Sequence, residues 1–87
     1  MRKPKLNHLF KVIDTINERE EGIFALEVEY VSEHNCYVVI DFNEELYYGG
    51  YRFERTLDEL NDAVRRVFGE HAYLECECPG RWLINNF

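Results

Sequence analysis

The stretch "ELYYGGYRFE", residues 45–54, decides the fold, because it carries four aromatic rings and two adjacent glycines and sits between the two halves of the chain. At a period of two residues, Tyr47, Tyr51 and Phe53 point to one side with Gly49 between them. Tyr48, Gly50, Arg52 and Glu54 point to the other. That alternation predicts a strand with a mostly aromatic buried face. The paired glycines suit a bulge or the two-residue turn of a tight hairpin, since both need backbone angles that other residues resist. The bulge is preferred, because a turn there leaves two very short strands.

Downstream, "TLDELNDAVRRVFG", residues 56–69, has the pattern of an amphipathic helix. Thr56 and Glu59 form a T-x-x-E capping box, and Leu57, Leu60, Val64 and Val67 make a stripe with Ala63 and Phe68 at its edges. Asp58 and Glu59 then fall near the positive end of the helix dipole and Arg65 and Arg66 near the negative end, with Gly69 as the stop.

Upstream, "IFALEVEYV" alternates, with Phe24, Leu26, Val28 and Tyr30 on one face. "SEHN" has turn chemistry, and "CYVVIDF" follows with Cys36, Val38, Ile40 and Phe42 assigned to the same buried face. The two strands are expected to pair as a hairpin. Before them, Leu6, Leu9, Phe10, Ile13 and Ile16 recur at helical spacing, which predicts a first helix from about Pro4 to Glu21, ended by Gly22. At the far end "HAYLECEC" alternates, Pro79-Gly80 turns the chain, and "RWLINNF" makes a last strand.

The expected element order is therefore α-β-β-β-α-β-β, a two-layer α+β sandwich with a mostly antiparallel sheet and both helices on one face. This order is similar to that at the start of secretion chaperones, which are small acidic dimers, although no motif accompanies the likeness.

A chain of 87 residues, 46% hydrophobic, with two prolines and five glycines, has room for one ordered domain, residues 1–87. No apolar run reaches the ~18–20 residues of a membrane helix. The N-terminus turns charged before a signal-peptide core is complete, so a cytosolic protein with reduced thiols is expected. The net charge is −7, but residues 1–11 carry +4 and the other 76 carry −11. Phosphate-backbone binding needs a cationic surface, so direct nucleic-acid binding by the acidic body is excluded as an expectation.

With the alternating apolar residues buried, the outer face should hold Glu27, Glu29, Tyr37, Val39, Asp41, Tyr48, Arg52, Tyr73, Glu75 and Glu77. Carboxylates steer toward a basic partner and tyrosines anchor interfaces. The candidate partner-binding residues are accordingly Glu27, Glu29, Tyr37, Asp41, Tyr48, Tyr73, Glu75 and Glu77. The plainer account is that an exposed sheet face is polar in any case and that cross-strand tyrosines stabilise strands.

A second constellation, His34 and Cys36 with Cys76 and Cys78, has the residue types of a zinc site but not the two-residue gap of a zinc knuckle. Cys76 and Cys78 extend the apolar series of Ala72 and Leu74, so packed, reduced, metal-free thiols are expected. No cofactor is implied. His34 and Cys36 lack an orienting third group, and acidic pairs such as Glu20-Glu21 or Glu44-Glu45 are generic in so acidic a chain, so catalysis is not expected.

The expected function is a small acidic inhibitor or adaptor that occludes a basic surface on another protein, for instance one that handles nucleic acid. Size and charge alone set a phage or mobile-element origin as the matching guess. The alternatives are a homodimeric structural or chaperone-like module and, third, a small zinc-binding domain.

Overall fold

The computed structural model describes residues 5–85. Helix α1 spans Asn7–Arg19, strands β1 and β2 span Leu26–Val31 and Cys36–Asp41, helix α2 spans Gly50–Phe68, and strands β3 and β4 span Tyr73–Cys78 and Arg81–Asn85. The sheet is antiparallel throughout, in the order β1-β2-β4-β3. The chain is thus two αββ units joined through β2 and β4. The α+β class is as expected, whereas the third strand is absent.

In its place Leu46–Tyr48 form a turn of 3-10 helix and α2 begins at Gly50, six residues before Thr56. The buried positions here are Leu46, Gly49, Phe53, Thr56, Leu60 and Ala63, a helical spacing of alternating three- and four-residue steps. Helical burial outweighs the period-two pattern because adjacent glycines add nothing to a strand's packed face. Gly49 is neither a bulge nor a hairpin turn. Its amide donates to Leu46 O at 3.1 Å, and a Cβ there would meet the same oxygen at 3.0 Å.

The helix bends at Phe53, whose φ of −121° and ψ of 15° are not helical. Phe53 is buried at 6% exposure against Phe24, with ring centroids 4.9 Å apart, while Tyr51 is fully solvated at 101% and Tyr47 is exposed. Tyr47 and Tyr51 therefore leave the core they were assigned to. The capping box dissolves as well: Thr56 is a buried residue within the helix, and the Glu59 carboxylate accepts from Arg19 at 3.0 and 3.1 Å and from Arg55 at 3.1 Å.

Helix α1 buries Leu9, Ile13 and Ile16 but leaves Phe10 exposed, which corrects its assignment to the apolar stripe. The expected start at Pro4 lies outside the described residues. Each helix also holds the strand that follows it. Asn17 in α1 accepts from Leu26 N at 2.9 Å and donates to Leu26 O at 3.0 Å, and Asn61 in α2 accepts from Leu74 N at 2.9 Å. Both helices share one core with Leu26, Val39, Leu74, Trp82 and Ile84.

The register sets the faces of the sheet. Leu26 pairs with Asp41 and Val28 with Val39, so the side of β2 that meets the core carries Tyr37, Val39 and Asp41. The expected assignment of Cys36, Val38 and Ile40 to the core is inverted by one residue, and Phe42 is exposed. Strand β2 is apolar on both faces, so alternation alone cannot orient it.

Asp41 can: its carboxylate is 1% exposed, with Oδ1 accepting from Ala25 N at 3.3 Å and Asn43 N at 3.0 Å and Oδ2 accepting from Leu46 N at 2.9 Å. Its backbone N–H donates to Gly80 O at 2.9 Å. At Gly80 a side chain is excluded, since φ is +84° and a Cβ would lie 2.8 Å from Asp41 O.

Two expectations follow for chemical denaturation. Asp41→Asn replaces an acceptor by a donor facing a backbone N–H and lowers stability by about 1–3 kcal/mol, read from the urea midpoint. Phe53→Ala costs about 3–5 kcal/mol, whereas Tyr51→Ala stays within about 0.5 kcal/mol. A large loss at Tyr51 contradicts the helical assignment of this stretch.

Candidate functional site: the outer face of the sheet

The sheet face opposite the core is organised in cross-strand rows. Glu29 pairs with Val38, Val38 with Leu83, and Leu83 with Glu75, giving an acid-apolar-apolar-acid row across all four strands. The next row runs Glu27, Ile40, Arg81, Cys78, the last step crossing an irregularity between Cys76 and Cys78. Toward the other end stand the pairs Val31 with Cys36 and Asn85 with Tyr73. The inner strands therefore supply an apolar centre through Val38, Ile40 and Leu83 with Arg81 beside it on β4, and the edge strands supply Glu27 and Glu29 on β1 and Glu75 on β3.

Val38 is 0% exposed yet is not part of the core shared by the helices. Its side chain is enclosed by neighbours on the outer face itself. The tip of the β1–β2 hairpin and the β3–β4 corner line one open recess of about 570 Å³, bordered by Val31, Glu33, His34, Glu77, Cys78 and Arg81.

The charge of this face is one-sided. Among the described residues every Lys and Arg except Lys5 and Arg81 lies in α1 or α2, and none occurs between Arg19 and Arg52. Arg81 is engaged by Glu77, with Nε donating to Oε2 at 3.2 Å. Glu75 accepts from the Asn85 amide. Neither Glu27 nor Glu29 has an ion-pair partner among the described residues.

Of the residues singled out from sequence, Glu27, Glu29, Tyr73, Glu75 and Glu77 stand on or beside this face. Tyr37 and Asp41 do not. Tyr37 lies on the core side between Tyr30 and Phe68, at ring distances of 5.2 and 5.6 Å, and Asp41 is the buried hub described above. Val39 is buried in the core too. Tyr48 is exposed but belongs to the 3-10 turn, where its ring stands 5.0 Å from that of Tyr47, and Arg52 lies in α2 with its guanidinium 5.0 Å from the Phe53 ring centroid. The residues missed are the apolar centre, Val38, Ile40 and Leu83. The signal for Val38 and Ile40 was present in "CYVVIDF", which is apolar at successive positions and so has an apolar face to spare.

The zinc candidates do not converge. Cys36 is on β2 and Cys76 and Cys78 on β3, with β4 between them; Cys76 faces the core side and Cys78 the outer side. His34 and Cys78 border the same recess, but no group of three or more metal-ligating side chains assembles among the described residues. No cysteine is in a disulfide. Cys76 is half-buried as expected for a packed thiol, whereas Cys78 is exposed, because the irregularity after Cys76 carries it to the outer face.

No family model matches the chain, and comparison with curated proteins and with solved structures likewise gives no match. Among the described residues no helix is long and apolar enough to cross a membrane.

Burial, and after it the neighbouring Cys78 sulfur, pushes the Cys76 thiol above the ordinary cysteine range, which lowers its thiolate fraction near neutral pH. Iodoacetamide is therefore expected to label Cys78 well before Cys76, as read by peptide mass spectrometry over a time course.

Proposed function

We infer that this chain is a small acidic protein-binding module, acting in the cytosol as an inhibitor or adaptor by occupying a basic surface of another protein. The observation that carries this reading is the row Glu29, Val38, Leu83, Glu75. Val38 within it is enclosed, so the half-buried Leu83, with Ile40 on β2, gives a docked partner apolar area to bury, and carboxylates on both flanks give it a sign. Carboxylates so placed can compete for a surface that otherwise holds phosphates, which makes a nucleic-acid-handling protein a suitable target. The mechanism is occlusion, and it asks nothing of the chain beyond binding.

The homodimer alternative is weaker on this face. A second copy laid against it sets glutamates on both flanks near glutamates of its twin, where like charges oppose association. The chaperone likeness rested on an order of elements that included a third strand, and residues 45–54 do not form one.

The test is the rate at which a protein captured from a host extract associates with the purified chain. Association is expected to slow steeply from low to physiological salt, where the screening length falls to about 8 Å. The double variant Glu29→Lys, Glu75→Lys is expected to slow it further while keeping the native urea midpoint. A rate indifferent to salt and to both reversals removes the acidic face from the function.

A further inference from the structure

We propose that the groove between α1 and α2 binds a small amphiphilic anion, a carboxylate carried on a short apolar body, with Lys11, Arg66 and His8 about the anionic group. The proposal goes beyond the docking function inferred above, since it uses side chains of the two helices and none of the sheet row.

The groove follows from how the helices meet. Arg19 at the end of α1 donates to both carboxylate oxygens of Glu59 in α2 at 3.0 and 3.1 Å, which ties together two helices that already share a core. Beside this pair lie two open recesses, and both touch His8, Val12 and Glu59. One, of about 300 Å³, is completed by Lys11 and Thr15. The other, of about 270 Å³, is completed by Asp62, Ala63 and Arg66. Each is near the small end of the ~300–1,000 Å³ range of ligand pockets, which suits a small molecule and not a folded segment.

The apolar surface open to a ligand is modest and can be assigned. Val12 is half-buried, so part of its side chain faces the groove. Thr15 is exposed, and its hydroxyl donates back to Lys11 O at 2.8 Å, which leaves its methyl group to the groove. Ala63 is itself buried at 1% exposure. Its contribution is shortness, because a longer side chain at that position would fill the space.

The pairing of charges gives the sign of the ligand. Of the described lysines and arginines, Arg19, Arg55, Arg65 and Arg81 form ion pairs, and Arg52 stands 5.0 Å from the Phe53 ring centroid. Lys5, Lys11 and Arg66 are left without a partner among the described residues, and so is His8. Lys11, Arg66 and His8 all line the groove. Its two acids are already engaged, Glu59 by Arg19 and Arg55 and Asp62 by Arg65. In a chain of net charge −7, the unpartnered cations thus gather where apolar surface is also open. An anion without an apolar part leaves Val12 and Thr15 wet, and an uncharged apolar molecule leaves Lys11 and Arg66 uncompensated.

The test is titration of the intact, isotope-labelled chain with octanoate at low salt, followed by amide chemical shifts. Saturable shifts are expected at His8, Val12, Thr15 and Ala63. Acetate keeps the charge and lacks the apolar body, whereas octylamine keeps the body and reverses the charge. Read at the same amides, each should bind at least about tenfold less tightly.

Lys11→Glu and Arg66→Glu should each weaken octanoate by about tenfold and keep the native urea midpoint, since both side chains are exposed and unpartnered. Arg52→Glu makes the same change of charge outside the groove, and Glu29→Lys alters the sheet face; both should leave the affinity within about twofold. Octylamine binding as tightly as octanoate at these amides overturns the proposal, as do shifts centred elsewhere. Equal weakening by Arg52→Glu also overturns it, because the total charge alone is then being sensed. No saturable shift up to about 10 mM octanoate removes the site altogether.

Discussion

The Asp41 carboxylate is the point on which the two halves of the chain depend. Three backbone N–H groups from three places meet it: the entry to β1 at Ala25, the turn after β2 at Asn43, and the 3-10 turn at Leu46 that leads into α2. Its own backbone joins β2 to the β3–β4 corner at Gly80. A buried acceptor is tolerated only when it is satisfied, and each donor here lies just outside a strand or at the start of a helical turn. One side chain thereby fixes which face of β2 looks inward, where the chain leaves the sheet, and how the second αββ unit is set against the first.

Much of this was legible in the sequence, and the parts that were not share a cause. Helix α1, strands β1 and β3 and the C-terminal part of α2 follow from periodicity, because in each of them one face is largely apolar and the other is not. Strand β2 and residues 45–54 lack that contrast. "CYVVID" is apolar on both sides, so its orientation is decided by the partner of Asp41, sixteen residues from Ala25 and invisible to any local pattern.

In residues 45–54 the tyrosines fit a period of two while the buried positions fit a period nearer 3.6, and the tyrosines that suggested the strand are the residues left in solvent. Glu27, Glu29 and Glu75 survive this error because they lie where alternation holds, whereas Glu77 sits in the irregularity that carries Cys78 outward. The apolar centre between the carboxylates was not legible, since it appears only when β2 is turned over.

The outer face also separates two roles that composition merges. The total charge describes how the protein behaves toward any ion, but its bases are gathered almost wholly on the helices, which leaves Glu27 and Glu29 on the sheet edge without an ion pair among the described residues. A low-dielectric apolar centre beside those carboxylates strengthens what they do at close range compared with the same charges on a flat wet surface.

Strands β1 and β3 are the two ends of an open sheet, and each leaves a row of backbone donors and acceptors without a neighbouring strand. Such rows invite addition of another chain unless something discourages it. Here the discouragement is carried by Glu27 and Glu29 at one end and Glu75 and Glu77 at the other, since a second molecule adding edge to edge would stack carboxylate beside carboxylate. That protection is electrostatic and therefore conditional. As dissolved salt shortens the reach of charge, repulsion fades at both ends together, and the colloidal behaviour of the protein changes while its apolar core is left intact.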